Sequence, residues 1–211
     1  MVKLFGPALS LEASGKVGNS MVFSTWKGRA YLRKQTIPKN PNSDLQVAFR
    51  QMLTYLGNTW PLLPAAARSG YDNLAARDNI SNYNAYIKYN QNRWENFFPP
   101  TIWYPAGETG SVATYVAGQP AATGGRSHVR IIHTIDGSKN NNIAIAIFRG
   151  ATGFTPALAN CRAINRANNF GVTYTWDDNK LQPGTYYYNT QLFTDSGLWG
   201  SPLGEISAVV T

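Results

Sequence analysis

Residues 141–152 read NNIAIAIFRGAT. In an extended chain Ile143, Ile145 and Ile147 fall on one face and Ala144, Ala146 and Phe148 on the other, because successive side chains of a strand alternate. The surroundings repeat the pattern. SHVRIIHTIDG (127–137), CRAINRANNFGVTYTWDD (161–178), PGTYYYNTQLFTDSGLWG (183–200) and GEISAVVT (204–211) are short alternating runs parted by turn residues. Strands of this length and spacing predict an antiparallel β-sandwich over residues 126–211.

Upstream the pattern changes. Residues 99–125 are rich in Pro, Gly, Ala and Thr and read as a linker or extended arm, with a strand expected near 114–116. Trp103 and Tyr104 are expected to pack on something rather than sit in a free tether. Before the linker lie three helical patterns. In SDLQVAFRQMLTYLGNTW (43–60), Leu45, Phe49, Met52, Leu53 and Leu56 recur at helical spacing, with Ser43 or Asn42 as cap and Asp44 in the first turn. PAAARSGYDNLAARDN (64–79) predicts a second helix with Pro64 at its first position. ISNYNAYIKYNQNRWENFF (80–98) predicts a third, with Ser81 as cap, Tyr83, Tyr86, Ile87, Asn90 and Trp94 in register, and Pro99 and Pro100 closing it.

Residues 8–37 read as strands. SMVFST and AYLRKQTI flank the turn signal W-K-G-R, which predicts a hairpin with Gly28 at its tip. Tyr31, Arg33 and Gln35 point one way and Leu32, Lys34 and Thr36 the other. The fold expected is thus α+β with two domains. A basic hairpin plus three-helix unit spans 1–98, a linker or arm 99–125, and a sandwich 126–211.

Only 14% of the 211 residues are charged, against roughly 25% in ordinary soluble domains. Such a surface fits β-rich extracellular or virion proteins better than cytosolic enzymes. A lone cysteine, Cys161, forbids an internal disulfide and a Cys-rich zinc site. The N-terminal residues lack the apolar run of a signal peptide, and no stretch of about 18 apolar residues is present. The expectation is a chain folded in a host cytoplasm that leaves by lysis or inside a particle.

The net charge of +8 is uneven: +7 over residues 1–98 and +1 over 99–211. Lys16, Lys27, Arg29, Arg33, Lys34 and Lys39 follow one another with no acid between, and Trp26 and Tyr31 are interleaved. A nucleic-acid grip, a catalytic surface and a protein-docking arm compete, and catalysis lacks partner groups. A nucleic-acid grip would use the cations on phosphates and the aromatics on bases. However, the basic residues alternate along the strand, so one face cannot hold them all, and no nucleic-acid motif accompanies them. Docking on an acidic protein surface needs only Arg29 and Arg33 on one face, Trp26 as anchor and Gly28 at the turn. A solvated face is the plain alternative for Lys34 and Lys39.

Catalytic groups are sparse. His128 and His133 are five apart in a predicted strand and face opposite sides. Cys161 reads as a small buried hydrophobe. Asp177 and Asp178 in WDDNK read as a β-turn rather than a calcium loop or glycosidase pair. No phosphate loop or nucleophile elbow is present, so neither catalysis nor a cofactor or metal is expected. Trp176, Tyr187 and Trp199 could form a sugar-stacking platform if exposed; as sandwich core and interface residues they need no ligand.

LQPGTYYYNTQLFTDSGLWGSPLGEISAVVT (181–211) resembles the end of a fibronectin type III-like or related immunoglobulin-like module. The likeness implies corner and core positions for Leu181, Tyr186 and Tyr188. No Cys–Trp–Cys set marks an antibody-type domain. Residues 14–98 are similar to small virion-associated proteins of tailed bacteriophages. That similarity rests on Gly15, Lys16, Trp26, Lys27, Gly28, Arg33, Asn40, Pro41, Gln46, Arg50, Trp60 and Tyr71. It implies a particle-associated role without a position on the particle; the uneven charge, a basic base for an acidic lattice, points first to a capsid decoration protein in multiple copies. The basic domain would dock on the major capsid protein or another virion protein, through Lys16, Trp26, Lys27, Gly28, Arg29, Tyr31, Arg33 and Lys34. The alternatives are a tail, neck or fibre component whose sandwich binds host carbohydrate, and a nucleic-acid packaging protein. No membrane partner is expected.

Overall fold

Lys27 and Gly28 both adopt positive φ, 49° and 75°. That is the two-residue turn whose twist matches a pair of antiparallel strands. It joins β2 (Met21–Trp26) to β3 (Arg29–Lys34), and β1 (Gly15–Val17) pairs on the other side of β2. The computed structural model describes residues 15–18, 20–36, 40, 42–106, 121–134, 143–167, 173–200 and 202–211. This meander belongs to a unit of its own, Met1–Pro41; Asn42–Thr211 form the second.

The boundary therefore falls at Pro41, not near residue 98, because the helices use their apolar side on the sandwich. α1 (Asp44–Thr59), α2 (Ala65–Ser69), α3 (Asp72–Asp78) and α4 (Asn82–Glu95) share one apolar cluster with Ala144, Phe148, Cys161 and Phe193. The buried stripe of α1 is Ala48, Met52, Tyr55, Leu56 and Thr59, whereas Leu45 and Leu53 are 49% and 48% exposed. A flat sheet accepts small Ala48 and the broad ring of Tyr55, which meets Phe193 edge-on at 5.5 Å. The second expected helix is two, broken at Gly70 and Tyr71, with Pro64 one residue before the first turn. Ser81 caps α4, its hydroxyl accepting the Asn84 N–H at 3.2 Å. Ser43 offers α1 only its carbonyl, which accepts the Val47 N–H at 3.0 Å.

The sandwich follows. β4 (Ala121–Gly124), β5 (His128–Thr134) and β8 (Thr173–Asn179) form one antiparallel sheet, in the order β4-β5-β8. β6 (Ile143–Gly150), β7 (Cys161–Ala167), β9 (Gly184–Phe193) and β10 (Glu205–Val210) form the other, in the order β10-β9-β6-β7. First, second and fifth strands thus face fourth, third, sixth and seventh, an immunoglobulin/fibronectin type III-like arrangement attached to a helical layer. The fold class is α+β. Val129, Ile131, Ile145, Ile147, Tyr188 and Leu192 fill the space between the sheets. Ala144, Ala146 and Phe148, on the reverse of β6, enter the helix-side cluster instead. Both faces of this strand are covered, which is why its sequence is apolar at every position from 143 to 148.

The corner expected at Leu181 and Tyr186 is present. Leu181 is buried, its N–H donating to Ser127 O at 3.0 Å, and the Tyr186 hydroxyl donates to Gln182 O at 2.9 Å. This is the tyrosine corner of such sandwiches. Asp177 and Asp178, expected in a turn, lie inside β8. Arg130 on the adjacent β5 and Arg149 on β6 of the other sheet hold them there, which overrides their weak strand preference.

The start of the expected linker is pinned. Pro99, Pro100, Thr101 and Ile102 are buried, and the Ile102 N–H donates to Asp195 O at 2.8 Å. Tyr104 packs edge-on against Tyr89 at 4.9 Å, as expected, while Trp103 stays 40% exposed. The strand expected near 114–116 lies outside the described residues.

Candidate functional site

Cross-strand register sorts the hairpin side chains by face. Lys16 stands opposite Val22, Val22 opposite Arg33, Ser24 opposite Tyr31 and Trp26 opposite Arg29. Paired residues share a face. One face therefore gathers Lys16, Trp26, Arg29, Tyr31 and Arg33. Met21, Phe23, Leu32 and Lys34 take the other. Lys27 and Gly28 occupy the tip, and Lys39 lies outside the described residues. The expectation that one face cannot hold every cation stands, yet three of them do collect on one side with both aromatics.

Trp26 is 68% exposed, and every residue of β3 is exposed. Trp26, Arg29 and Tyr31 border an open hollow of about 490 Å³. The Lys27 ammonium lies 5.0 Å from the Trp26 ring centroid, a cation–π contact that orients the indole. Arg29 and Arg33 form no ion pair among the described residues. The unit Met1–Pro41 holds seven Lys/Arg and a single acid, Glu12. Its field is therefore strongly positive, and planar guanidinium groups on a flat face suit carboxylates.

In the second unit Asp177, Asp178 and Asp44 have structural work. Arg130 grips Asp177 through two bonds, at 2.7 and 2.9 Å, and keeps that carboxyl below its usual range. Asp178 accepts from Arg149 at 2.5 Å and from the Tyr188 hydroxyl at 3.0 Å. Asp44 of α1 accepts from Arg162 of β7 at 2.6 Å, which lowers its pKa. Cys161 is buried, and burial pushes its thiol up to about 12, far from a nucleophile. His133 is buried with neither ring nitrogen bonded among the described residues, and desolvation lowers it to about 4. His128 lies on the opposite face of β5, its Nδ1 3.0 Å from Arg126 O.

The expected sugar platform is not assembled. Trp199 sits among Trp94, Phe97, Phe148 and Phe193, its indole N–H donating to Phe97 O at 3.0 Å. Tyr187 is on β9 of the four-stranded sheet and Trp176 on β8 of the three-stranded one. Trp176 instead borders a cleft of about 370 Å³ between α1, β7 and β8. Gln51, Thr54 and Asn58 from α1 and Asn165 from β7 share it. Sequence reading passed over these four. Their signal was the 51, 54, 58 spacing, which is one helical face made of uncharged polar residues.

No family model matches the chain, and no curated protein matches it. Among solved structures, it is similar to a β-1,2-glucanase from Parabacteroides distasonis at 18% identity and TM-score 0.34, over 46% of this chain and 14% of that one. It is similar to the PKD domain of an M14-like peptidase from Thermoplasmatales archaeon SCGC AB-540-F20 at 14% identity and TM-score 0.33, over 46% of this chain and 98% of that domain. The CARDB domain of a Pyrococcus furiosus protein aligns at 8% identity and TM-score 0.23, over 48% of this chain and all of that one. Likeness at this level transfers no function.

Proposed function

We propose that this chain is a non-enzymatic structural protein of a bacteriophage virion, in the first place a capsid decoration protein. It docks through its basic hairpin on an acidic protein surface such as that of the major capsid protein. The observation that carries the docking reading is the shared face of Lys16, Trp26, Arg29, Tyr31 and Arg33 on a unit separate from the sandwich. Trp26 supplies apolar contact area, and the two arginines supply forked donors for carboxylates. The attachment to a virion rests on the resemblance of residues 14–98 to phage proteins.

The same face also suits a second reading. Two aromatics among three cations are what a single-stranded nucleic acid stacks on. The footprint is short, however, since β3 spans only six residues, Arg29–Lys34.

The test is a cryo-EM map of the intact particle, combined with an Arg29→Ala/Arg33→Ala variant. Many copies on the shell, with residues 16–34 against capsid protein and occupancy lost in the variant, is the expected result. Few copies at neck, tail or fibre would move the role to assembly or adsorption. Absence from the particle, with steeply salt-dependent binding to single-stranded DNA, would replace this reading with nucleic-acid binding.

A further inference from the structure

We propose that the cleft between α1, β7 and β8 is a saccharide-binding site. It lies within Asn42–Thr211, so it stands or falls independently of hairpin docking.

Its volume of about 370 Å³ lies in the range of small-molecule sites and admits one or two sugar rings. Its place follows from the topology. β7 ends the four-stranded sheet and β8 ends the three-stranded sheet, so the cleft opens where two edge strands lie beside α1.

The lining chemistry narrows the ligand. Gln51, Asn58 and Asn165 carry primary amides, each with donors and an acceptor, and Thr54 and Thr175 add hydroxyls. A sugar hydroxyl is likewise donor and acceptor at once. Trp176 and Tyr174 stand two residues apart on β8, on one face of the strand; both pack in part against the core between the sheets and border the cleft with what stays exposed. Such rings take the C–H face of a pyranose, which is apolar. No carboxylate is among the described residues that line the cleft, so it offers a metal ion or an organic cation no charged ligand. A single cation, Arg166, is too little for a polyphosphate but can accept the acid group of a uronic sugar.

One feature speaks for a ligand rather than for incidental roughness. α1 buries Ala48, Met52, Tyr55 and Leu56 against the body, yet beside that stripe it sets Gln51, Thr54 and Asn58 toward the seam. Leucines there would close the seam and bury more apolar area; uncharged polar groups keep it open and wet.

Titrating the intact protein with tri-N-acetylchitotriose, cellotriose and trigalacturonic acid tests this, with tryptophan fluorescence and calorimetry as readouts. Saturable binding of at least one is expected. Trp176→Ala and Asn58→Ala should each weaken it at least about tenfold without changing the far-UV circular dichroism. Tighter binding of trigalacturonic acid, reduced by Arg166→Gln, would also support the site. Asn58 is exposed, so that variant stays informative should Trp176→Ala unfold. Lack of saturable binding for all three sugars, or binding that both variants leave intact, would overturn the proposal.

Discussion

Asn90 and Thr101 hold each other by reciprocal hydrogen bonds. The Thr101 N–H donates to Asn90 Oδ1 at 2.7 Å, and Asn90 Nδ2 donates to Thr101 O at 3.0 Å, with both residues buried. The Tyr71 hydroxyl adds a bond to the same carbonyl at 3.1 Å. One side chain thus ties the chain leaving α4 back onto the helix. Asn90→Ala strands a buried N–H and should cost about 3 kcal/mol in urea unfolding. Asn90→Asp should be at least as damaging, because a carboxylate cannot donate to the Thr101 carbonyl. An unchanged urea midpoint in either variant would refute this account of the clamp.

The corner at Tyr186 is a milder case. Tyr186→Phe keeps the ring under Arg149, whose guanidinium is 5.6 Å from its centroid, and removes only the bond to Gln182 O. The expected loss is about 1 kcal/mol with no change in the sandwich. Chemical denaturation measures the loss, and amide NMR shifts confined to residues near 182 and 186 would locate it.

Two glycines should respond with opposite signs. A Cβ on Gly124 would meet the carbonyl oxygen of Val209 at 1.7 Å, where β4 runs against β10. Gly124→Ala should therefore cost about 3 kcal/mol as the two strands part. Gly57 lies inside α1, and its added Cβ would meet only the Tyr83 hydroxyl, at 3.6 Å. Gly57→Ala should raise stability by about 0.5–1 kcal/mol, through helix propensity. Thermal unfolding of the pair reads both signs in one experiment.

His133 makes stability depend on pH. Burial lowers its folded-state value to about 4, from an ordinary 6.5. Below pH 6.5 the unfolded chain binds a proton that the folded chain refuses, so acidification favours unfolding. Stability from this residue is full above about pH 6.5 and falls until about pH 4, by about 3 kcal/mol in all. His133→Leu should flatten the curve over that window relative to the parent. Parallel curves for the two proteins would show that the buried imidazole is not responsible.

How much of this was readable beforehand varies by element. The hairpin with its tip at Gly28 and the cap at Ser81 were legible, because each depends on neighbours within a few residues, while the corner at Tyr186 was legible only through the likeness to fibronectin type III-like modules. The buried stripe of α1 was not. Its partner is a sheet a hundred residues away, which selects Ala48 and Tyr55 over Leu45 and Leu53. A clue lay in Ala144, Ala146 and Phe148: an apolar second face on a strand implies a second cover. Asp177 and Asp178 misled because turn preference is local, whereas Arg130 and Arg149 reach them from other strands. Of the docking residues, alternation separated Lys34 from Arg33 correctly, but placing Lys16 and Trp26 beside Arg29 needed the register of three strands. The cleft was invisible, since its walls come from three distant segments.

The double covering of β6 also sets a clock. This strand lies between β9 and β7, with Ile145 and Ile147 in one core and Ala146 and Phe148 in the other. No small opening brings water to its amides, because both layers must part first. Deuterium should leave β6 only through global unfolding, while the exposed β3 exchanges by fraying. Within a single chain, the same solvent would then report two free energies, one for the body and one for the hairpin.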